Sequence, residues 1–274
     1  MQVFSTPAVV LRGVDYGESD RIVTFLTRDA GKISGIAKGA KRSQRRFAGS
    51  LGLFSLVNLH YRVRPGAELV FLERAQLQRP WKSLLDSLER YAAASHVVEI
   101  ADKMTVEQEV GDDLFHLVVE ALRRLDAAEP GPATLRLFEL ASLAVCGYRA
   151  ELSRCVLCRR PLAAAMVAAR LAPAAGGAAC GGCAEPEDAG ATLSPAALDC
   201  LGRMQAQVAR ATVSGRRDAT ALFVAEAEIA SALTRTVARE LGAALAALLA
   251  PRVRGRLLAA ELLGPVVGRG LVGA

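Results

Sequence analysis

Four of the six cysteines form two closely spaced pairs, which are Cys155 with Cys158 and Cys180 with Cys183. A gap of two residues lets both thiolates of a pair bind one ion, and the intervening residues 159–179 give the pair-to-pair spacing of four-cysteine zinc sites. Gly181 and Gly182 permit the tight turn that the second pair requires. Zn²⁺ suits four thiolates in a reducing compartment. The pattern predicts one structural zinc ion, since four protein ligands leave no open coordination position.

Two other interpretations of these pairs stay open, namely two disulfides or a redox Cys-x-x-Cys motif. A zinc deaminase is excluded, because it needs a His-x-Glu motif and none of His60, His96 and His116 has Glu two residues later. Cys146 and Cys200 lie on predicted helices among Ala, Val and Leu. We expect both to be buried small hydrophobic residues and not metal ligands.

Positive charge is concentrated near the N-terminus. The formal net charge is +6. Residues 1–82 hold 14 Lys+Arg and 6 Asp+Glu, a net of +8, so the remainder carries −2. Residues 30–67 contain no acid, and their eight bases are Lys32, Lys38, Lys41, Arg42, Arg45, Arg46, Arg62 and Arg64. Such a segment favours a polyanionic partner, most commonly nucleic acid, and these eight residues are the predicted DNA contacts.

The first eighty residues have the pattern of a small β-barrel. The segment Val57–Arg64 alternates strictly between apolar and polar residues, which indicates a strand with one buried face and one basic face. Shorter predicted strands are Ala8–Arg12, Ile22–Thr27, Lys32–Ala37 and Leu69–Leu77. Five short strands in about eighty residues fit a closed barrel such as an OB-fold.

Helical patterns follow the predicted barrel. Ser83 with Asp86 suggests a capping box that opens a helix to about Met104. Further helices are predicted over Asp112 to about Ala127, Pro132 to near Gly147, Pro195 (after Ser194) to about Arg210, and Asp218 to Ala250. The predicted fold class is α+β, with an OB-fold over 1–80, a helical domain over 81–149 and 191–255, and an inserted zinc module over 150–190.

The basic segment from Lys38 to Phe47 is predicted to be a flexible loop between strands. Its Lys and Arg side chains can pair with phosphates and release counterions, which gives sequence-independent affinity. A solvated loop without a partner is the alternative. Phe47 either stacks on a base or anchors the loop to the barrel core.

The chain carries no motif of the common enzyme classes. Walker A, G-x-S-x-G and H-E-x-x-H strings are absent from the sequence. Glu18 and Asp20 are expected to brace a turn near Arg21 and not to hold a catalytic metal. A non-enzymatic nucleic-acid-binding protein is therefore expected. A zinc-ribbon transcription factor is the rival interpretation, and a purely structural interaction protein, which would not bind DNA at low salt, stays open. Against that rival, residues 150–190 are not strongly basic.

The sequence favours a cytosolic location. The first twenty residues lack the apolar run of a secretory signal. The apolar run Leu241–Ala250 has about half the length that a membrane-spanning helix needs. No membrane partner is expected.

Several strings of residues carry a resemblance to a known family. They are Val10-Leu11-Arg12, the DYGESDRIV string from Asp15, Leu26-Thr27, the GKISGIAKGA string from Gly31, Gly147-Tyr148-Arg149, the two cysteine pairs and Leu193-Ser194-Pro195. Together they resemble the bacterial RecO family over most of the chain, more weakly after about residue 210. The resemblance implies an N-terminal OB-fold, a helical body and a zinc module inserted in that body.

The resemblance also implies a function. Members of this family bind single- and double-stranded DNA, anneal complementary strands and, with RecR, load RecA onto DNA coated by single-strand binding protein. They recognise the C-terminal tail of that binding protein. The zinc cysteines carry over directly, whereas the DNA contacts carry over as the basic positions around Lys38–Arg46. The implied location is the bacterial cytoplasm, in association with the nucleoid.

Overall fold

The structure is a computed structural model that describes residues 2–43, 45–106, 112–162, 168–184, 191–213 and 216–263. The chain divides into two compact units, 1–129 and 130–274. No helix in the described part of the chain is long and apolar enough to cross a membrane.

The first unit begins with a closed five-stranded barrel. Its strands are β1 (Val3–Tyr16), β2 (Asp20–Thr27), β3 (Gly31–Ala37), β4 (Leu56–Arg62) and β5 (Val70–Arg79). They are hydrogen-bonded in the order β1-β2-β3-β5-β4, and β1 also pairs with β4. The pairing is antiparallel except between β3 and β5, which run parallel. This closed, OB-like barrel confirms the predicted N-terminal fold.

The barrel interior is filled by side chains from alternate positions of its strands. In β4, Val57, Leu59 and Tyr61 are buried and the residues between them are partly exposed, which confirms the predicted alternation. A Cβ added at Gly35 would lie 2.4 Å from Leu72 Cδ2. Glycine at this position therefore permits the close approach of β3 and β5.

Two α-helices complete the first unit, α1 (Leu88–Met104) and α2 (Asp112–Ala127). The predicted capping box at Ser83 is wrong. Residues Lys82–Leu85 form a 3₁₀ turn, and the Ser83 N–H donates to Asp126 Oδ1 at 2.9 Å. The cap of α1 is Ser87, whose Oγ accepts from the Arg90 N–H at 3.1 Å. The predicted start of α2 and its end are confirmed.

The second unit is mainly helical. Its elements are α3 (Pro132–Val145), β6 (Ala169–Ala172), β7 (Gly177–Cys180), β8 (Thr192–Leu193), α4 (Pro195–Arg210), β9 (Thr212–Val213), β10 (Arg216–Arg217), α5 (Ala219–Leu222), α6 (Glu226–Ala232) and α7 (Arg235–Leu249). Strands β7, β6 and β8 form a small antiparallel sheet, and β9 pairs with β10. The predicted helices at Pro132 and Pro195 are confirmed.

The single long helix predicted over Asp218 to Ala250 is wrong, because this segment is divided into α5, α6 and α7. Two capping side chains fix the divisions. Asp218 Oδ1 accepts from the N–H groups of Thr220 and Ala221, and Thr234 Oγ1 accepts from the Val237 N–H at 3.3 Å. Each cap has an extended backbone, which a continuous helix would not allow.

Candidate functional site

The four paired cysteines lie together at one end of the small sheet in the second unit. Their sulfur atoms all lie within 4.8 Å of one another, and Cys158 Sγ is 3.7 Å from Cys180 Sγ. A tetrahedral ion with metal–sulfur bonds of about 2.3 Å requires sulfur–sulfur separations of about 3.8 Å. The donor set and its spacing therefore fit one metal ion held by four thiolates.

Backbone hydrogen bonds join the segments that carry the two cysteine pairs. Cys180 is the last residue of β7, and Cys155 precedes a tight turn. Cys155 Sγ accepts from the Cys180 N–H at 3.3 Å and from the Cys158 N–H at 3.5 Å. The Val156 N–H donates to Ala178 O at 3.0 Å and ties the first turn to β7. The sheet thus positions one pair against the other.

The pKa values of Cys155 and Cys183 are shifted in opposite directions. Burial raises the pKa of the Cys155 thiol, but N–H donors from Cys158, Cys180 and Leu157 outweigh burial and lower it to about 6. Contacts with the thiols of Cys158 and Cys180 raise the pKa of Cys183 to about 12. A bound metal ion would supply the positive charge that Cys183 needs to ionise beside the sulfur atoms of Cys158 and Cys180.

The two-disulfide interpretation of the cysteine pairs finds no support in the structure, which contains no disulfide bond among the six cysteines. All six cysteines are free thiols. Cys200 is buried in α4, and burial raises the pKa of its thiol, as expected for a small core residue. Cys146 is half-buried at the end of α3. Neither belongs to the cluster of four, which is the one metal-ligating group found among the described residues.

The start of the basic loop in the first unit, residues 38–46, is fixed by Asp20. Its carboxylate accepts from Lys38 Nζ at 2.7 Å, from the Gly39 N–H at 2.8 Å and from Ser19 Oγ at 3.1 Å. The Lys41 N–H also donates to Ser19 O at 3.0 Å. The bonds from Lys38 and Gly39 lower the pKa of Asp20 to about 2. The role of Asp20 is thus to brace the basic loop, whereas Glu18 is exposed.

The end of the loop is fixed to the barrel. Phe47 is only 3% exposed and belongs to the barrel core, so its ring anchors the loop and the base-stacking alternative for Phe47 is wrong. The carbonyl oxygen of Arg46 accepts from the Ala75 N–H at 2.9 Å. The Arg46 guanidinium donates to Lys38 O at 2.7 Å and lies over the Phe47 ring. The loop is therefore held at both ends.

The predicted DNA contacts are not all equally accessible. Lys32 is 7% exposed, and its ammonium bonds to the carboxylate of Asp102 in α1 at 3.1 Å. Arg12 shares that carboxylate at 3.2 Å. This partner comes from a helix 70 residues away in sequence, so the sequence pattern did not reveal it. Lys32 therefore does not belong to the exposed basic surface.

Three other predicted contacts are exposed or half-exposed but carry a carboxylate partner. Lys38 pairs with Asp20, Lys41 Nζ lies 3.0 Å from Asp15 Oδ2, and Arg62 pairs with Glu73. Arg64 is exposed, with its guanidinium 5.9 Å from the centroid of the Phe71 ring. The ion pairs reduce the net charge that Lys38, Lys41 and Arg62 offer to a polyanion.

Arg42 and Arg45 are exposed, and neither has a carboxylate partner in the part of the chain that the structure describes. Gln44, which lies between them in sequence, is outside the described residues. With Arg46, these two residues give the braced loop a positive charge that no neighbouring acid offsets. We call residues 38–46 the basic loop and Arg42 with Arg45 its unpaired arginines.

Sequence reasoning missed one residue beside the basic loop. Tyr16, the last residue of β1, is 53% exposed, and Lys38 Nζ lies 6.0 Å from its ring centroid. Its position directly before the Gly17 turn was the available signal, since strand ends and hairpin turns of small barrels lie at the surface.

Comparison with known proteins gives two matching family models. The model described as Recombination protein O N terminal matches residues 1–81, and the model described as Recombination protein O C terminal matches residues 85–225. The boundary between the two matches falls just after the barrel strands.

Curated relatives match most of the chain. A DNA repair protein RecO of Anaeromyxobacter dehalogenans (strain 2CP-C) is 42% identical over 197 residues, which cover 72% of this chain and 77% of the relative. A DNA repair protein RecO of Anaeromyxobacter sp. (strain Fw109-5) is 38% identical over 264 residues, which cover 95% of this chain and 96% of the relative. A third, from Geobacter metallireducens, is 37% identical over 203 residues, covering 74% and 80%.

Proposed function

Because the chain belongs to the RecO family of DNA repair proteins, we propose that it is a DNA-binding recombination mediator that acts without catalysing a covalent reaction. It binds single- and double-stranded DNA, promotes annealing of complementary strands and, with RecR, promotes loading of RecA onto DNA coated by single-strand binding protein. The C-terminal tail of that binding protein is the second protein partner in this proposal.

The observation that carries the proposal is the pair of exposed, unpaired arginines on a braced loop. Two DNA strands repel each other because both are polyanions. Arg42 and Arg45 can neutralise phosphates of either strand without first breaking an ion pair. Asp20 and Phe47 hold the loop in place, so less conformational entropy is lost when DNA binds. Such contacts favour DNA of any sequence, which annealing requires.

We propose that the metal is zinc and that its role is structural. The thiolates of Cys155, Cys158, Cys180 and Cys183 would hold it with no position left for substrate. Bound zinc contributes Lewis acidity that keeps the four sulfurs deprotonated, and here that chemistry serves folding. In this proposal the barrel over 1–80 binds DNA, while the helical domain (81–149 and 191–255) and the zinc module (150–190) hold the protein partners.

The test is a comparison of two double variants that remove equal charge. Arg42→Ala with Arg45→Ala removes the unpaired arginines of the basic loop. The matched control, Arg239→Ala with Arg254→Ala, removes two exposed arginines of the second unit that also lack a carboxylate partner among the described residues. Affinity for labelled single strands and duplexes is measured over a range of salt concentrations.

We expect the loop variant to bind all sequences more weakly and to anneal complementary strands more slowly. The slope of log K against log salt for single strands should fall by about 1.4, since each phosphate contact contributes about 0.7. The control should keep the wild-type slope. Equal losses in both variants would show that only net charge matters, and a loss confined to one DNA sequence would support the transcription-factor rival.

A further inference from the structure

A tyrosine stands beside the basic loop at the place where small barrels of this type contact oligonucleotides. OB-folds bind nucleic acid with the face of strands 2 and 3 and with the loop that joins strands 1 and 2. Tyr16 is the residue of β1 that directly precedes that loop, and it pairs with Asp20 at the start of β2. More than half of its side chain is exposed.

The surroundings of Tyr16 combine an aromatic ring with fixed positive charge. Asp20, its cross-strand neighbour, holds Lys38 Nζ at 2.7 Å, and that ammonium lies 6.0 Å from the ring centroid. Val14 is 51% exposed two residues earlier, on the same face of β1. The Tyr16 ring thus lies next to the basic loop, and the exposed side chain of Val14 is its neighbour on the same face of β1.

Other aromatic residues of the first unit are engaged differently. Phe47 and Phe54 are buried. Phe4 stacks on Tyr61 at a centroid distance of 5.4 Å, and Tyr91 meets the Phe54 ring edge-on at 5.6 Å. Tyr16 has no such ring–ring contact within the described ranges. The Tyr16 ring is therefore about half exposed and is not already stacked on another ring of the described residues.

We infer that Tyr16 stacks on an unpaired base of single-stranded nucleic acid while Arg42 and Arg45 contact the neighbouring phosphates. The inference rests on the proposed DNA binding and deepens it. Phosphate contacts are common to single strands and duplexes, whereas an aromatic side chain can stack only on a base that is out of the duplex. Tyr16 would therefore give this surface its preference for single strands.

A purely structural role for Tyr16 makes a different prediction. If the ring only supported the hairpin through its contact with Lys38, its removal would disturb the basic loop and weaken phosphate contacts. Every polyanion would then be affected alike, whether or not it carries bases. An abasic strand, which has the phosphates without the bases, separates the two roles.

The experiment measures binding of the full-length, metal-loaded protein to oligothymidylate and to an abasic strand of equal length by fluorescence anisotropy. The variants are Tyr16→Ala and Tyr16→Phe. The matched control is Tyr148→Ala, which removes an exposed tyrosine of the second unit whose ring also lies under a cation, Arg252, at 4.7 Å. Salt dependence is recorded for each protein.

We expect Tyr16→Ala to weaken binding to oligothymidylate by about fivefold to tenfold, with an unchanged salt slope and unchanged affinity for the abasic strand. Tyr16→Phe and Tyr148→Ala should stay within about twofold of wild type. Equal weakening on both strands, or none on either, would overturn the stacking role. Wild-type protein that binds neither strand would instead overturn the proposed function itself.

Discussion

The basic loop and the cysteine cluster differ in what holds their closely spaced side chains together. Each places groups of like charge close together on a turn. The basic loop is held by bonds within the chain, through the Asp20 carboxylate at one end and the Phe47 ring at the other. The cysteine cluster brings four sulfur atoms together, and the raised pKa of Cys183 indicates that an external cation is needed to hold it as a thiolate beside the others. DNA affinity should therefore survive treatments that destroy the metal site.

The largest expected effect comes from breaking the metal site. Cys155→Ala removes the one fully buried ligand of the four, and we expect loss of the bound zinc ion and unfolding of residues 150–190. Structural zinc contributes about 10 kcal/mol or more in small domains, far more than one core side chain. Metal content is measured by elemental analysis, and local unfolding by hydrogen exchange.

The control for the metal site is Cys146→Ala, a half-buried cysteine of the same unit outside the cluster. It should keep one zinc ion per chain. Oligonucleotide affinity should stay near wild type in Cys155→Ala, because the basic loop has its own internal support. A parallel loss of zinc and DNA binding would contradict the contrast between the two regions.

The next effect concerns the anchor of the basic loop. Phe47→Ala removes a buried aromatic side chain from the barrel core and should lower the free energy of unfolding by about 3–5 kcal/mol. Phe47→Leu, which keeps most of the apolar volume, should cost clearly less. Both values come from denaturant unfolding of the full chain. Unchanged stability with weakened DNA binding would restore the base-stacking interpretation of Phe47.

The smallest expected effect is the loss of the Asp20 contacts with the basic loop at low pH. The folded-state pKa of Asp20, about 2, lies below its ordinary 3.8, so its support of the loop is complete above about pH 4 and is lost as the pH falls through about 2. Hydrogen exchange of the Gly39 amide should accelerate over that window. Asp20→Asn should show faster exchange already at neutral pH, and Glu18→Gln should not. A wild-type amide insensitive to this window would show that Asp20 does not fix the loop.

Local sequence patterns correctly predicted the β4 strand and the cysteine cluster. Alternation in β4 predicted a barrel strand, and the spacing of Cys155, Cys158, Cys180 and Cys183 predicted their clustering. Patterns of this kind report which face of an element is buried or which ligands can share an ion. They do not depend on knowing the distant parts of the chain.

The sequence failed where a distant partner or a competing local bond decided the outcome. The sequence pattern placed Lys32 with the DNA contacts, but in the structure its ammonium bonds to Asp102 of α1. Ser83 looked like a helix cap, but its N–H bonds to Asp126 and Ser87 takes that role. For Phe47 the residue type allowed two roles, and only the barrel core distinguished them. The position of Tyr16 before the Gly17 turn indicates an exposed ring, but it does not reveal that the ring lies close to a loop that follows later in the chain.

The bond between Lys32 and Asp102 has a practical consequence for making fragments of this protein. A fragment cut at residue 81, where the first family match ends, would discard α1 and with it the Asp102 carboxylate and carbonyl that bind the Lys32 ammonium. A fragment that extends to residue 129, the end of the first compact unit, keeps α1 and therefore keeps that pair. The first compact unit, about half as long again as the barrel, is therefore better suited to separate expression than the barrel by itself.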